Sequence, residues 1–270
     1  MKTPPAEARM LASLSGRARS ERDKRFLLFV GVVLVAIAMG FKSDMVGPAQ
    51  VWGLGVGLLI LATPALMGYL HSPTGLPSLE HFVPIVLGTL AVAGLSLLIP
   101  EWWKYSVVSV AFGAGFCFAA HLDYRQIRDR QKPGHLVVQE VLLAFGLAGS
   151  YLVILTVNIG LPLRLASIFG ISMLASYRSF RVLGNPMSPR RALLFSLFVA
   201  QLVSFFGWAM SVYLYFTEGV FTVLLFLLWY VNRGIIRHTV EETMSLNVII
   251  EYSLFILLIA FLFFTSFQPR

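Results

Sequence analysis

The sequence predicts an all-α protein, a polytopic bundle of about nine transmembrane helices made of one leading helix and four hairpins. Three observations predict it: a very apolar composition, long apolar runs, and a basic boundary that recurs at nearly constant spacing. The chain is 57% hydrophobic and 13% charged, with a mean hydropathy of +0.79, whereas soluble domains carry about 25% charged residues. Its 270 residues leave little room for a separate soluble domain once about nine spans of roughly 20 residues are drawn.

The recurring boundary is clearest at Tyr124-Arg125 and Tyr177-Arg178, each of which closes an apolar run. The two tyrosines are 53 residues apart, Tyr69 lies 55 residues before the first, and Asn232 lies 55 residues after the second. This regular spacing predicts a repeated transmembrane hairpin.

Residues 1–25 contain seven basic residues before any long apolar run begins. They are predicted to form a basic cytoplasmic segment, either a solvated tail or an interfacial amphipathic helix. Residues 26–270 are predicted to form a single transmembrane domain. The first run, residues 26–41, has the length of a signal-peptide core, but we interpret it as a retained first helix because eight further runs need a consistent starting orientation.

The remaining runs predict eight more spans. Those at 163–177 and 219–232 are short for a hydrocarbon core of about 30 Å, so the sequence leaves open whether they cross it fully. The predicted bounds are 51–70, 82–99, 105–122, 137–158, 163–177, 192–216, 219–232 and 246–267.

The basic residues predict the orientation. Of the 21 lysines and arginines, 17 fall in segments on the side of the N-terminus and four on the opposite side. The positive-inside rule then places the N-terminus in the cytoplasm and the C-terminus outside, in a multi-pass protein of the plasma (inner) membrane. The net charge of +8 is explained by topology and by anionic lipid headgroups, so nucleic acid is not an expected partner.

Several groups able to do acid-base chemistry fall near the predicted cytoplasmic face. Imidazoles and carboxylates from different helices could serve a membrane enzyme there. The membrane interface is also the least costly place for polar residues, so no metal and no cofactor is predicted. The catalytic candidates are His121, Asp123, Glu140, His238, Glu242 and Glu251.

Glu251 is the most informative of these candidates. It lies about five residues inside the last predicted span, roughly 7 Å deep. An ionisable group at that depth indicates a functional site unless a partner neutralises it. The structural alternative, which we favour, is an ion pair with one of the arginines at the basic boundary, which we call the rim arginines, such as Arg178, Arg181 or Arg233. Glu140 likewise could be a functional group or one partner of a structural ion pair.

The rim arginines form two pairs one helical turn apart, Arg125 with Arg128 and Arg178 with Arg181. Guanidinium groups in this spacing could bind lipid phosphates. The alternative is that topology alone explains them and that the similarity of the two boundaries is accidental.

The sequence favours a non-enzymatic scaffold or accessory subunit that binds lipid, another membrane protein or a second copy of itself. One alternative is an enzyme acting on a lipid-linked or phospholipid substrate at the cytoplasmic face. The other is a small-solute transporter with Glu251, Asn247 and Gln201 along its path.

The sequence has no P-loop and no Gly-x-Ser-x-Gly turn. Prenyl-protein proteases have an arginine four residues after a pair of glutamates, but Leu246 occupies that position after Glu241-Glu242.

Overall fold

The computed structural model describes the C-terminal half of the chain almost continuously. The described ranges are 133–156, 159–182, 187–214 and 216–266, with isolated residues and short stretches at 32, 35, 83, 87–88, 90–91, 99, 101–107, 109–111 and 113–114. Residues 1–25 and most of the first four predicted spans lie outside this part. Within it the structure is helical and contains no β-strand.

Five long helices form the described bundle. They are α1 (Pro133–Thr156), α2 (Leu161–Val182), α3 (Pro189–Tyr213), α4 (Glu218–Val240) and α5 (Leu246–Ser266). All except α2 are long and apolar enough to cross a membrane, which indicates a membrane protein.

The two runs that looked short belong to helices of ordinary transmembrane length. The run at 163–177 is part of the 22-residue α2, and the run at 219–232 is part of the 23-residue α4. At 1.5 Å per residue each helix is about 33 Å long or more, and of the two only α4 is also apolar enough to be a candidate span. Both helices continue past the ends of the predicted spans, and Arg178 and Arg233, which follow those ends, are buried inside the helices.

Local sequence explains where α3 and α4 begin. Ser188 precedes α3 in an extended conformation and Pro189 follows at the first helical position, where its fixed φ suits the helix and a missing N–H costs nothing. Thr217 caps α4, its side chain accepting a hydrogen bond from the backbone N–H of Val220. Glu218 follows in the first turn, where a carboxylate interacts favourably with the helix dipole.

Neighbouring helices run in alternate directions, so the described part of the chain crosses the bundle five times. The start of α2 therefore lies at the same end as the finish of α3, and the start of α1 lies with the finish of α4. The contacts that fix these directions join Leu165 to Ser204, Glu140 to Arg233 and Phe216 to Phe263.

Small residues allow α1 to approach Leu87 and Ala91 closely. A Cβ built on Gly149 would lie 2.6 Å from the Cβ of Ala91, and one built on Gly146 would lie 3.0 Å from the Cβ of Leu87. The hydroxyl of Ser150 also donates to the backbone carbonyl of Leu87 over 3.2 Å. Such close contact of backbones stabilises helix pairs in lipid, where hydrophobic burial gives no driving force.

Candidate functional site

The most concentrated group of charges joins α1 to the end of α4. Arg233 Nη2 lies 3.1 Å from Glu140 Oε1, and Arg237 Nη1 lies 3.0 Å from the same oxygen. Arg237 Nε also lies 3.3 Å from Glu241 Oε1. We call the end of the bundle that holds these four residues the charged end.

Arg233 is the most buried charge of the network, with 7% of its side chain exposed. Its guanidinium lies 5.2 Å from the ring centroid of Trp229 and 5.7 Å from that of Tyr230, so two aromatic faces compensate part of the lost hydration. Glu140 supplies the counter-charge that a buried cation requires. Among the described residues, the Arg233 Nε–H has no hydrogen-bond partner.

Glu251 bonds to a tyrosine rather than to an arginine. The hydroxyl of Tyr230 donates to Glu251 Oε1 over 3.1 Å, which joins α4 to α5. Within the described part of the chain Glu251 makes no ion pair, because Arg233 is directed toward Glu140 on α1. The predicted pairing of Glu251 with a rim arginine is therefore replaced by a tyrosine contact, and the carboxylate stays exposed on α5.

His238 and Glu242, two of the catalytic candidates, lie in different local structures. The helix α4 ends at Val240, and Glu242 sits in the following turn with a φ of 54°, a left-handed conformation. Glu242 is exposed there. His238 instead shares a hydrogen bond of 2.8 Å between its Nδ1 and the hydroxyl of Thr243.

The remaining catalytic candidates lie outside the described residues. This holds for His121 and Asp123, and for Arg125 and Arg128 of the predicted phosphate-binding set. Across the ranges that are described, no group of three or more His, Cys, Asp or Glu side chains is placed to hold a metal ion. The structure thus brings Glu140 to the charged end, where its carboxylate lies against Arg233 and Arg237.

Arg178 and Arg181 both lie near the C-terminus of α2. Only 2% of Arg178 is exposed, whereas Arg181 is half-buried and donates from Nη1 to the backbone carbonyl of Met187 over 2.8 Å. Exposed guanidinium groups at this end belong to Arg190 and Arg191, in the first turn of α3. Binding of lipid phosphate by Arg178 and Arg181 stays a prediction.

Sequence analysis missed two buried polar contacts between helices. Trp229 Nε1 donates to the hydroxyl of Ser176 over 2.9 Å, joining α4 to α2. The hydroxyl groups of Tyr151 and Ser172 lie 2.7 Å apart and join α1 to α2. Both serines sit within apolar runs, and no sequence motif distinguishes them from serines that bond only to their own helix.

A second polar site was missed at the opposite end of the bundle, which we call the pocket end. A cavity of about 180 Å³ opens there between the ends of four helices. The sequence had indicated only that Arg164 is one of four basic residues on the predicted outer side. The lining residues are Leu155, Arg164, Met210, Ser211, Leu214, Phe216, Glu218 and Phe221.

Gln201, expected on a transport path with Glu251 and Asn247, is exposed on α3. The two other residues are exposed on α5, and α5 packs mainly against α4.

Comparisons with protein-family models, curated proteins and solved structures gave no significant match.

Proposed function

We propose that this chain is a non-enzymatic accessory subunit of the plasma (inner) membrane that binds another membrane protein through α5. In this proposal it has nine spans, a cytoplasmic N-terminus and an external C-terminus. The charged end then faces the cytoplasm, as the positive-inside rule requires. The observation that carries the proposal is the exposed carboxylate of Glu251 on a helix that is otherwise apolar and peripheral.

Helix α5 is the least covered element of the described bundle. Only 6% of its apolar window is buried inside the chain, and α5 packs mainly against α4. An apolar surface alone requires no protein partner, because lipid tails cover it equally well. The large exposed side chains of α5 are Leu246, Ile249, Ile250, Leu254, Ile256, Leu257, Leu258, Phe261 and Phe264.

Glu251 distinguishes this surface from one made only for lipid. It lies about 7 Å along α5 from the first residue of the helix, and the exposed amide of Asn247 lies one turn earlier on the same face. Among the described residues the carboxylate accepts one hydrogen bond, from Tyr230, and this leaves most of its capacity unused. Because a charge at this depth is costly against lipid, we infer that a cation or hydrogen-bond donor from a neighbouring membrane protein completes the site.

The charged end supports a structural use of Glu140. Its Oε1 already accepts hydrogen bonds from Arg233 and Arg237, so this oxygen would have to leave two cations before it could accept a proton from a substrate. The same network ties α4 to α1 and thereby fixes the helix on which α5 packs. A rigid support of this kind suits a binding surface, since preorganisation lowers the entropic cost of association.

The anionic lipid of the cytoplasmic leaflet is the second proposed partner. Arg190 and Arg191 are exposed at the charged end, where guanidinium groups attract negatively charged headgroups. Lipid contact at this end and protein contact along α5 involve separate surfaces.

Site-specific photo-crosslinking tests the proposal. A photo-reactive residue replaces Ile250, beside Glu251, and in a control chain it replaces Leu194, which is exposed on α3. After crosslinking in the native membrane, we expect one defined protein adduct from position 250 and none from position 194. The Glu251→Gln substitution should remove the adduct, whereas Glu242→Gln, in the exposed turn, should leave it.

Other outcomes would replace the proposal. An adduct of the chain with itself at position 250 would identify a homo-oligomer. Lipid adducts alone, with no effect of Glu251→Gln, would contradict a protein partner. If Glu251→Gln left the thermal unfolding midpoint and the adduct unchanged but abolished uptake of a solute, transport would be the better account.

A further inference from the structure

The cavity at the pocket end contains buried polar atoms that the protein does not satisfy. The Nε–H of Arg164, in the first turn of α2, and the hydroxyl of Ser211, in the last turn of α3, are both inaccessible to solvent in the described structure and have no hydrogen-bond partner there. Both residues line the cavity. Leaving a buried donor unsatisfied is costly, so a side-chain rotation that brings these groups to the cavity surface, where a ligand oxygen could accept from them, would recover the corresponding free energy.

The donors define one half of the ligand. A guanidinium presents several N–H groups in a plane and suits the two oxygens of a phosphate or carboxylate. Ser211 adds a hydroxyl that can donate to the same group. The N-termini of α2 and α4 lie at this end of the bundle and contribute positive potential.

Glu218 defines the other half. This exposed carboxylate also lines the cavity, and across the described ranges it forms no ion pair with Arg164. A cavity lined by one cation and one anion that do not neutralise each other directly is complementary to a ligand that carries both charges. A simple anion would meet repulsion from Glu218, and a simple cation would meet repulsion from Arg164.

The size and the remaining walls limit the ligand further. The volume of about 180 Å³ equals about six water molecules at their share of liquid volume. Leu155, Leu214 and Phe221 contribute apolar side chains to the lining. A group of this size with an apolar extension would fill the space between the helix ends.

We infer that this cavity binds a small zwitterionic group in which an oxyanion stands next to a primary amine. Arg164 and Ser211 bind the oxyanion, and Glu218 binds the ammonium. Two sources offer this chemistry: a phosphatidylethanolamine headgroup, whose acyl chains would lie along the apolar walls, and a free molecule such as phosphoethanolamine. The site lies at the opposite end of the bundle from the charged end and is independent of a partner on α5.

Native mass spectrometry of the purified full chain tests this site. The detergent-solubilised protein is titrated with dioleoyl phosphatidylethanolamine or with dioleoyl phosphatidylglycerol. We expect one phosphatidylethanolamine to be retained in preference to phosphatidylglycerol. Arg164→Gln should weaken its binding about tenfold or more, while Lys104→Gln, in the exposed surface pair with Glu101, should not.

A thermal-shift titration with O-phosphoethanolamine and inorganic phosphate distinguishes the two sources. Retention of the lipid identifies a headgroup site. Stabilisation by O-phosphoethanolamine without retention of lipid identifies a free solute. In either case Glu218→Gln should reduce the preference for the zwitterion over inorganic phosphate or phosphatidylglycerol.

Three results would overturn the inference. The first is that wild-type protein binds none of the four probes. The second is that phosphatidylglycerol or inorganic phosphate binds as well as the zwitterion and that Glu218→Gln changes nothing. The third is that Arg164→Gln behaves like Lys104→Gln. If Arg164→Gln does not fold, Arg164→Lys keeps the charge but loses the planar donor pair, and it should still bind the zwitterion more weakly than wild type.

Discussion

The guanidinium of Arg233 lies 3.1 Å from the carboxylate of Glu140, which comes 93 residues earlier in the chain. The same guanidinium lies over the ring of Trp229, whose indole N–H donates to Ser176 on α2. Three helices, α1, α2 and α4, are thus connected by a continuous series of polar contacts within an apolar bundle. The stability of the charged end should depend on each member of this series.

Glu140→Gln should destabilise the protein. The substitution leaves the buried Arg233 without a counter-charge and also removes one of the two carboxylate partners of Arg237. We expect a loss of about 1–3 kcal/mol in the free energy of unfolding, moderated because 37% of the Glu140 side chain is exposed to solvent. Thermal or denaturant unfolding in detergent measures it.

Glu101→Gln provides the matched control. Glu101 pairs with Lys104 over 2.7 Å, and both side chains are about half exposed. Loss of such a surface pair should cost about 0.5 kcal/mol or less. Equal losses in the two variants would show that the charged end contributes no more than an ordinary surface ion pair.

Gly234→Ala should disturb the contact between α4 and α5. A Cβ on residue 234 would overlap the hydroxyl and ring of Tyr252, which is itself buried. Because both groups are held by packed helices, overpacking should cost about 1–3 kcal/mol. Gly170→Ala, with nothing within 4 Å of the new Cβ, should stabilise α2 by about 0.5–1 kcal/mol instead.

The double variant Gly234→Ala/Tyr252→Ala checks the cause of this effect. If overlap with the tyrosine is responsible, the extra cost of the alanine at 234 should disappear in the Tyr252→Ala background. A cost that is the same in both backgrounds would assign the effect to α4 itself.

Ser176→Ala should leave the indole N–H of Trp229 without a hydrogen-bond partner, and only 1% of Trp229 is exposed. An unsatisfied buried donor costs about 1–3 kcal/mol. Ser196→Ala is the comparison, because Ser196 is equally buried but its hydroxyl donates only to the carbonyl of Ala192 in its own helix. Removing the Ser196 hydroxyl leaves no unsatisfied donor, so the unfolding free energy of this variant should stay close to that of wild type. Similar losses in both variants would contradict the argument.

Much of the architecture follows from the sequence, because transmembrane helices are encoded by runs of apolar residues. The span predicted at 246–267 closely matches α5 (Leu246–Ser266), and the other four predicted spans of this half each correspond to one helix. The predicted spans and the observed helices differ most where an arginine follows the apolar run. A charged residue in an apolar run is a reasonable sign of a helix end, yet Arg178 and Arg233 are buried within their helices, and Arg233 is neutralised by a carboxylate 93 residues away.

The candidate site was less predictable, because its residues come from helices that are distant in the sequence. Spacing along one helix shows which side chains share a face, but it does not show which helix packs against that face. Glu251 was expected to meet an arginine and instead accepts a hydrogen bond from Tyr230. The cavity lined by Arg164 and Glu218 combines residues from two helices 54 positions apart, and nothing local to either position indicates the other.

The exposed arginines at the charged end give the last prediction. Arg190 and Arg191 lie in the first turn of α3 and are exposed, whereas Arg181 donates to the carbonyl of Met187. Each exposed arginine near an anionic surface contributes about 1 kcal/mol of attraction. The double variant Arg190→Gln/Arg191→Gln should therefore bind dioleoyl phosphatidylglycerol more weakly in native mass spectrometry, and this difference should shrink as ionic strength rises.

Arg181→Gln should lower stability rather than lipid affinity. Its loss frees the Met187 carbonyl and should lower the unfolding midpoint, while the affinity for phosphatidylglycerol changes little. If Arg181→Gln weakens lipid binding as much as the double variant does, the phosphate-binding role predicted for Arg178 and Arg181 is the better account. The charged end would then bind lipid through the C-terminus of α2 rather than through the start of α3.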